Sequence, residues 1–345
     1  MPDIKLPDGK KIPFPKTVDG FEIAKKISKS LAKEACIMSV NGELKDLSFS
    51  INKDSQVRII TQKDKEGLEV IRHDAAHVLA MAVQELFSDT QVTIGPVIDD
   101  GFYYDFYRKQ PFVPEDLRQI EKRMKEIIGR DLPIIRKELT KAEAYEFFKG
   151  IGEGFKKEIL DDIPDKIVSI YSQGKFTDLC EGPHVPSTRY LKSFKILHAS
   201  ASYWRGDENR EGLQRIYGTC WHNKQQLNDY LKVLEEAKKR DHRKLGKELD
   251  LYTVSEDVGS GLILWHPKGA RVRYLIEEFW RKELGAKYTK QLEKVIPETW
   301  IIDPSPIPPH AAIPMLNLTD WNQLSELSQK ERDLILKLSG FNERS

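Results

Sequence analysis

Apolar positions in the first 62 residues fall into short alternating runs around one helical stretch. Ile4 and Leu6, then Asp8-Gly9, then Ile12 and Phe14 predict two strands joined at a turn. Phe21–Leu31 carries Ile23, Ile27 and Leu31 four residues apart, the spacing of one helix face. Met38–Val40, Leu47–Ile51 and Val57–Ile60 predict further strands, with Asn41-Gly42 as a hairpin turn. Strands, a helix and more strands within roughly 60 residues predict a ubiquitin-like β-grasp module, an α+β arrangement.

From residue 63 the period lengthens. Arg72–Phe87 places Ala76, Leu79, Ala80, Val83, Leu86 and Phe87 on one apolar stripe of a helix. Pro114–Ile128 and Ala142–Phe148 predict amphipathic helices, and Gly150-Ile-Gly-Glu-Gly154 a loop without the strand-to-helix frame of a phosphate fingerprint. Phe194–Ser202 is apolar and small, and Tyr203-Trp204-Arg205-Gly206-Asp207 marks a turn. Lys224–Gly246 predicts a single connecting helix with Leu227, Leu231 and Leu234 on a stripe. Gly269–Leu284 predicts another, with Val272, Leu275, Ile276, Phe279 and Trp280 at core spacing. Beyond Tyr288, Pro297, Pro304, Pro306, Pro308, Pro309 and Pro314 break regular structure, and Thr319–Leu338 predicts a last helix. The expected divisions are 1–62, an α+β block over 63–223, a linker helix over 224–246, a further segment over 247–288 and a divergent tail over 289–345.

Composition narrows the class. With 39% hydrophobic and 32% charged residues in 345, the pattern fits a globular protein of two or three domains. No apolar run approaches the roughly 18 residues of a membrane span, and the first residues lack the apolar core of a secretory signal. Three widely spaced cysteines, Cys36, Cys180 and Cys220, read as reduced thiols, which points to a cytoplasmic protein. A net charge of +1 excludes a polycation, so any nucleic-acid contact is local. The candidate is Lys238, Lys239, Arg240, Arg243 and Lys244, a run that either tracks phosphates or forms a solvated helix face.

Two short motifs carry the chemistry. His73-Asp-Ala-Ala-His77 lies on the predicted helix, where positions i and i+4 share a face. Cys180-Glu-Gly-Pro-His184 cannot be helical through Gly182-Pro183, so it reads as a strand end and turn. Three imidazoles and a thiol facing one another, with Asp178 nearby, suit a zinc ion or metal-free proton transfer, and the residue types leave both open.

The stretches RHDAAHVLA, IGPVIDDGFYYDF, TDLCEGPHVPST, SYWRGDENREGLQRIYGT and AKKRDHRKLGKELDLY make the chain resemble the N-terminal half of threonyl-tRNA synthetases over about residues 1–288. The resemblance implies a TGS domain over 1–62 and an editing domain over 63–223, the second additional domain shared with alanyl enzymes, which removes wrongly attached serine. It implies the start of a class II catalytic core over 247–288 and a homodimer contact through the 269–284 helix. It places His73, His77, Cys180 and His184 in the editing site, with Asp178 and Lys156 as polar partners and Tyr104 as a wall residue. Lys156 near the developing oxyanion is one reading and a surface lysine the other; Tyr104 reads equally as core. The partners implied are tRNA(Thr) and mischarged Ser-tRNA(Thr), with no membrane. ATP, Mg and Zn belong to the family's catalytic core; its second and third class II motifs and its zinc-binding Cys/His set have no counterpart in 289–345. The expected activity is hydrolytic editing, with a non-catalytic tRNA- or partner-binding fragment as the alternative.

Overall fold

The computed structural model describes residues 2–254 and 262–282. The expectations for the tail, including the helix over 319–338, lie outside the described residues. The described residues divide into two compact units, one up to residue 236 and one from residue 237.

The first unit begins with β1 (Asp3–Lys5), β2 (Lys11–Pro13), α1 (Gly20–Ile27), α2 (Lys29–Glu34), β3 (Ala35–Val40), β4 (Glu43–Asp46) and β5 (Ser55–Thr61). The sheet order is β2-β1-β5-β3-β4, with β1 parallel to β5 and its other pairings antiparallel, so helix and sheet form the β-grasp predicted. Asn41 and Gly42 both take positive φ, as a tight hairpin of this kind requires. Two local expectations fail. The helix predicted over Phe21–Leu31 is interrupted at Ser28, whose extended backbone ends α1 and whose Oγ accepts from Leu31 N to start α2. The strand predicted over Leu47–Ile51 is displaced to β4, because Leu47 is a buried plug whose carbonyl accepts from Gly20 N.

The unit continues with α3 (Lys65–Leu86), β6 (Gln91–Val92), β7 (Val97–Ile98), β8 (Gly101–Tyr107), α4 (Pro114–Gly129), β9 (Ile134–Thr140), α5 (Lys141–Gly150), α6 (Gly154–Asp162), β10 (Ile167–Gln173), β11 (Phe176–Leu179), β12 (Ser193–Tyr203) and β13 (Gly212–Trp221). One sheet runs β12-β13-β8-β6, with β7 also on β8; a second runs β11-β10-β9. The single apolar stripe predicted for α3 is too narrow: Ala75, Ala76, Val78, Leu79, Ala80, Ala82 and Val83 are all fully buried, as for a helix enclosed on every side. Their core includes Phe102, Phe106 and Ile216 from the sheet and Cys36, Ile37 and Ile60 from the β-grasp, so the two modules share one hydrophobic interior.

α7 (Lys224–Lys239) follows, and the second unit contains α8 (His242–Glu248), β14 (Tyr252–Val254), β15 (Ile263–Trp265) and α9 (Pro267–Trp280). The single connecting helix expected over 224–246 is therefore two helices. The break falls at Asp241, whose carboxylate accepts from Arg243 N and caps the second helix. The residues expected at core spacing on α9 are exposed instead, Val272 at 46% and Phe279 at 65%. Among the described residues no helix is long and apolar enough to cross a membrane.

The joint between the β-grasp and α3 generates a test. A Cβ on Gly67 would lie 1.9 Å from Thr61 O and 3.2 Å from Cys36 Sγ. Alanine gains up to about 1 kcal/mol of helix propensity, whereas overpacking against fixed backbone costs about 1–3 kcal/mol or more. Gly67→Ala should therefore lower the urea midpoint; an unchanged or higher midpoint would show that the joint yields.

Candidate functional site

Four pieces of chain converge at one place. α3 supplies His73, Asp74 and His77; β8 supplies Tyr104; α6 supplies Lys156; β11 and the turn after it supply Asp178, Cys180 and His184. The burial of α3 fixes its face, and the i, i+4 spacing brings the His73 and His77 ring centroids within 4.7 Å. The turn is shaped by Gly182, at φ +80°, where a Cβ would meet Tyr171 Oη at 2.1 Å. Ser169 Oγ donates to the Cys180 carbonyl and anchors the start of that turn.

The side chains form one continuous string. Asp178 Oδ2 lies 3.1 Å from His77 Nδ1, and His77 Nε2 lies 3.2 Å from His73 Nε2. His73 Nε2 lies 3.0 Å from Cys180 Sγ, and Cys180 Sγ lies 3.2 Å from His184 Nε2. His184 Nδ1 then meets Asp74, whose other oxygen accepts from Val185 N at 2.8 Å. Both ends are buried carboxylates; the middle, His73 and Cys180, is half-exposed. His73 Nε2 has room for one proton or one lone pair. It therefore donates to Cys180 or accepts from His77, one at a time.

Lys156 is 3% exposed, not a surface lysine. It pairs with Asp178 and donates to Thr93 O at 2.6 Å and Tyr104 Oη at 3.2 Å. Three donors meet three acceptors, which leaves none for the oxyanion role expected of it. Its partner Tyr104 is a buried ring stacked on Phe106, as the core reading expects, and its hydroxyl donates to Asp178 at 2.6 Å.

The string polarises its members. Burial opposes the cation on His77, but the hydrogen bonds to Asp178 and Cys180 outweigh it and raise its pKa to about 9. Burial is likewise outweighed at His184 by the charge and hydrogen bond of Asp74, which raise it to about 10. Cys180 is held well below an ordinary thiol: burial pushes it up, and hydrogen bonds from His184, His73 and His77 pull it down further. Burial, with smaller contributions from nearby carboxylates, pushes the other two thiols, Cys36 and Cys220, up to about 12. Asp178 is buried yet kept ionised by Lys156 and His77.

The quartet also offers four ligand atoms within 4.8 Å of one another. This donor set fits zinc, and Asp178 and Asp74 on the outer nitrogens of His77 and His184 are the carboxylate–histidine supports such sites use. His73, His77, Cys180 and His184 would hold the ion; bound by all four it would be closed, and it would supply an activated water only with one of the four positions left open.

Asp74 was not among the predicted residues, although an acid between two histidines in an otherwise apolar helix was a visible signal. Glu153 was also missed; it accepts from Val92 N at 2.9 Å and from Gln84, fixing the strand whose next carbonyl, Thr93 O, holds Lys156. The basic run lies in other surroundings. Lys238 and Lys239 end α7, while Arg243 pairs with Asp241 at 2.7 Å and Lys244 approaches Glu248 at 3.8 Å.

Residues 2–61 match the TGS domain family, and residues 168–217 match the threonyl and alanyl tRNA synthetase second additional domain. Asp178, Cys180 and His184 fall within the second match. A TGS module joined to a second additional domain is the class that fold and site define. Curated relatives are more particular. The chain is 58% identical over 271 residues to the threonine–tRNA ligase of Pelagibacter ubique, covering 78% of this chain and 42% of that protein. It is 54% identical over 283 residues to that of a Janthinobacterium species, 82% of this chain and 44% of that protein. With the ligase of Rickettsia akari the identity is 51% over 285 residues, 82% and 45%. The chain belongs to the threonyl-tRNA synthetase family and carries its N-terminal region, spanning less than half the length of these relatives.

Glu153 gives the site a pH signature. Burial raises its carboxyl from 4.5 to about 7, against the opposing Val92 N–H and Lys156 charge. A raised folded-state pKa means stability that is complete below 4.5 and lost as pH rises toward about 7. Glu153→Gln cannot ionise. The melting-temperature difference, variant minus wild type, should grow by a few degrees between pH 5 and pH 8. A difference independent of pH would mean that Glu153 titrates normally.

Proposed function

We propose that this chain hydrolyses the ester of seryl-tRNA(Thr) and leaves threonyl-tRNA(Thr) intact. The observation that carries the reading is the string of acid–base groups with buried carboxylate ends and a half-exposed middle at His73 and Cys180. Serine lacks one methyl of threonine and offers the same hydroxyl and amine. A synthetic site gains only about 10- to 200-fold from a methylene-sized difference, so a second, hydrolytic site supplies the remaining discrimination.

In the step proposed, water attacks the ester carbonyl as its proton passes to His73. The carbon–oxygen bond to the ribose then breaks, and the same imidazole returns the proton to the leaving ribose oxygen. His77 and Asp178 orient His73 from one side; Cys180, His184 and Asp74 hold it from the other. Hydrolysis consumes only water, so the ATP and Mg of ligation enter no step. Lys156 acts by keeping Asp178 charged and in place. The exposed apolar residues of α9 would be covered by a second copy, in line with the homodimer contact that the resemblance implies.

Purified chain should deacylate Ser-tRNA(Thr) faster than buffer and spare Thr-tRNA(Thr). His73→Ala and Cys180→Ala should each slow it by roughly tenfold or more. Wild-type rates equal to the buffer control would sink the hydrolase reading and leave a non-catalytic tRNA-binding module. The run from Lys238 to Lys244 is proposed to contact tRNA phosphates. If so, reversing charge at Arg240 and Arg243 should weaken tRNA binding and flatten its steep salt dependence. Unchanged affinity would make the run a solvated face.

A further inference from the structure

We infer that Asp46, at the end of β4 in the β-grasp module, is a positioning residue for the hydrolytic site. One of its carboxylate oxygens, Oδ1, accepts the backbone N–H of His184 at 2.7 Å, and Oδ2 accepts the Tyr171 hydroxyl at 2.8 Å. Tyr171 is the floor on which His184 rests, with ring centroids 4.0 Å apart. The same hydroxyl occupies the space that any side chain at position 182 would need. One carboxylate thus holds the backbone of His184, the ring beneath it and, through that ring, the turn carrying Cys180. Asp74 fixes only the Nδ1 edge and the following amide. The β4 strand is itself fixed: Asp46 pairs with Ile37 on β3, and the adjacent Leu47 is buried in the β-grasp core. The TGS module thereby supplies a constraint on the imidazole–thiol contact 138 residues along the chain.

The inference rests on the hydrolytic reading for its activity readout, so the experiment carries a second readout that does not. Asp46→Ala removes both acceptors. Asp46→Asn keeps an oxygen for His184 N and an amide N–H that can face the Tyr171 oxygen. In single-turnover deacylation of Ser-tRNA(Thr), Asp46→Ala should lower the rate constant about tenfold or more with tRNA affinity within about twofold of wild type. Asp46→Asn should restore most of the rate. Hydrogen exchange at the His184 amide should accelerate about tenfold or more in Asp46→Ala and little in Asp46→Asn. Tyr171→Phe, which loses only one hydroxyl, should show an intermediate rate loss and adds little to Asp46→Ala. It carries the test if the alanine variant does not fold. Wild-type rates and wild-type His184 exchange in Asp46→Ala or Tyr171→Phe would overturn the inference. So would a rate loss matched by an equal loss of tRNA affinity. If the wild-type chain itself does not hydrolyse seryl-tRNA, the proposed function falls. The exchange at His184 still decides whether Asp46 holds it.

Discussion

The site depends on how a buried Asp178 is kept charged. It lies at the end of β11 and receives Lys156 from α6, the Tyr104 hydroxyl from β8 and His77 from α3. Three elements distant in sequence are therefore tied to one carboxylate. An ion taken out of water loses several kcal/mol of solvation, and only close, hydrogen-bonded partners offset that. Such a pair is weak evidence of added stability, and its value here is geometric. With Asp178 fixed, His77 can present only its Nε2 edge toward His73.

Much of this was legible in the sequence because it rests on local rules. Spacing of four on a helix put His73 and His77 together, and Gly182-Pro183 forced the turn that carries Cys180 and His184. The β-grasp followed from alternating runs and one hairpin turn. What was not legible came from competition between local and tertiary terms. Ser28 and Asp241 sit inside good helical periodicity, yet their side chains cap a following helix and divide it. Leu47 lies in a run that reads as a strand but spends its burial plugging the β-grasp. α3 alternates enough polar residues to look one-sided, and only the arrangement of two modules around it buries Arg72, Asp74 and His77. Asp46 and Glu153 carried no signal at all, because their partners lie 138 and 61 residues away.

Charge balance explains why this cluster can sit in a protein interior. Asp74, Asp178 and Cys180 contribute three negative groups; His77, His184 and Lys156 contribute three positive ones. Signs alternate along the string, so each charge has opposite neighbours within hydrogen-bond reach. His73 stands at the centre, half-exposed, between the thiol and a second imidazole. Of its two neighbours, His77 is held by Asp178 and Cys180 is shared with His184, so His73 is the histidine of the string that no carboxylate holds. That asymmetry, with the greater exposure of His73, is what favours it over its more buried neighbours in the role proposed above. It also means that no member is independent. Removing the thiol leaves the Nε2 edges of His184 and His73 without the atom they share. Removing either carboxylate releases the ring it holds. The residues act as one unit, so the effects of single substitutions should not add.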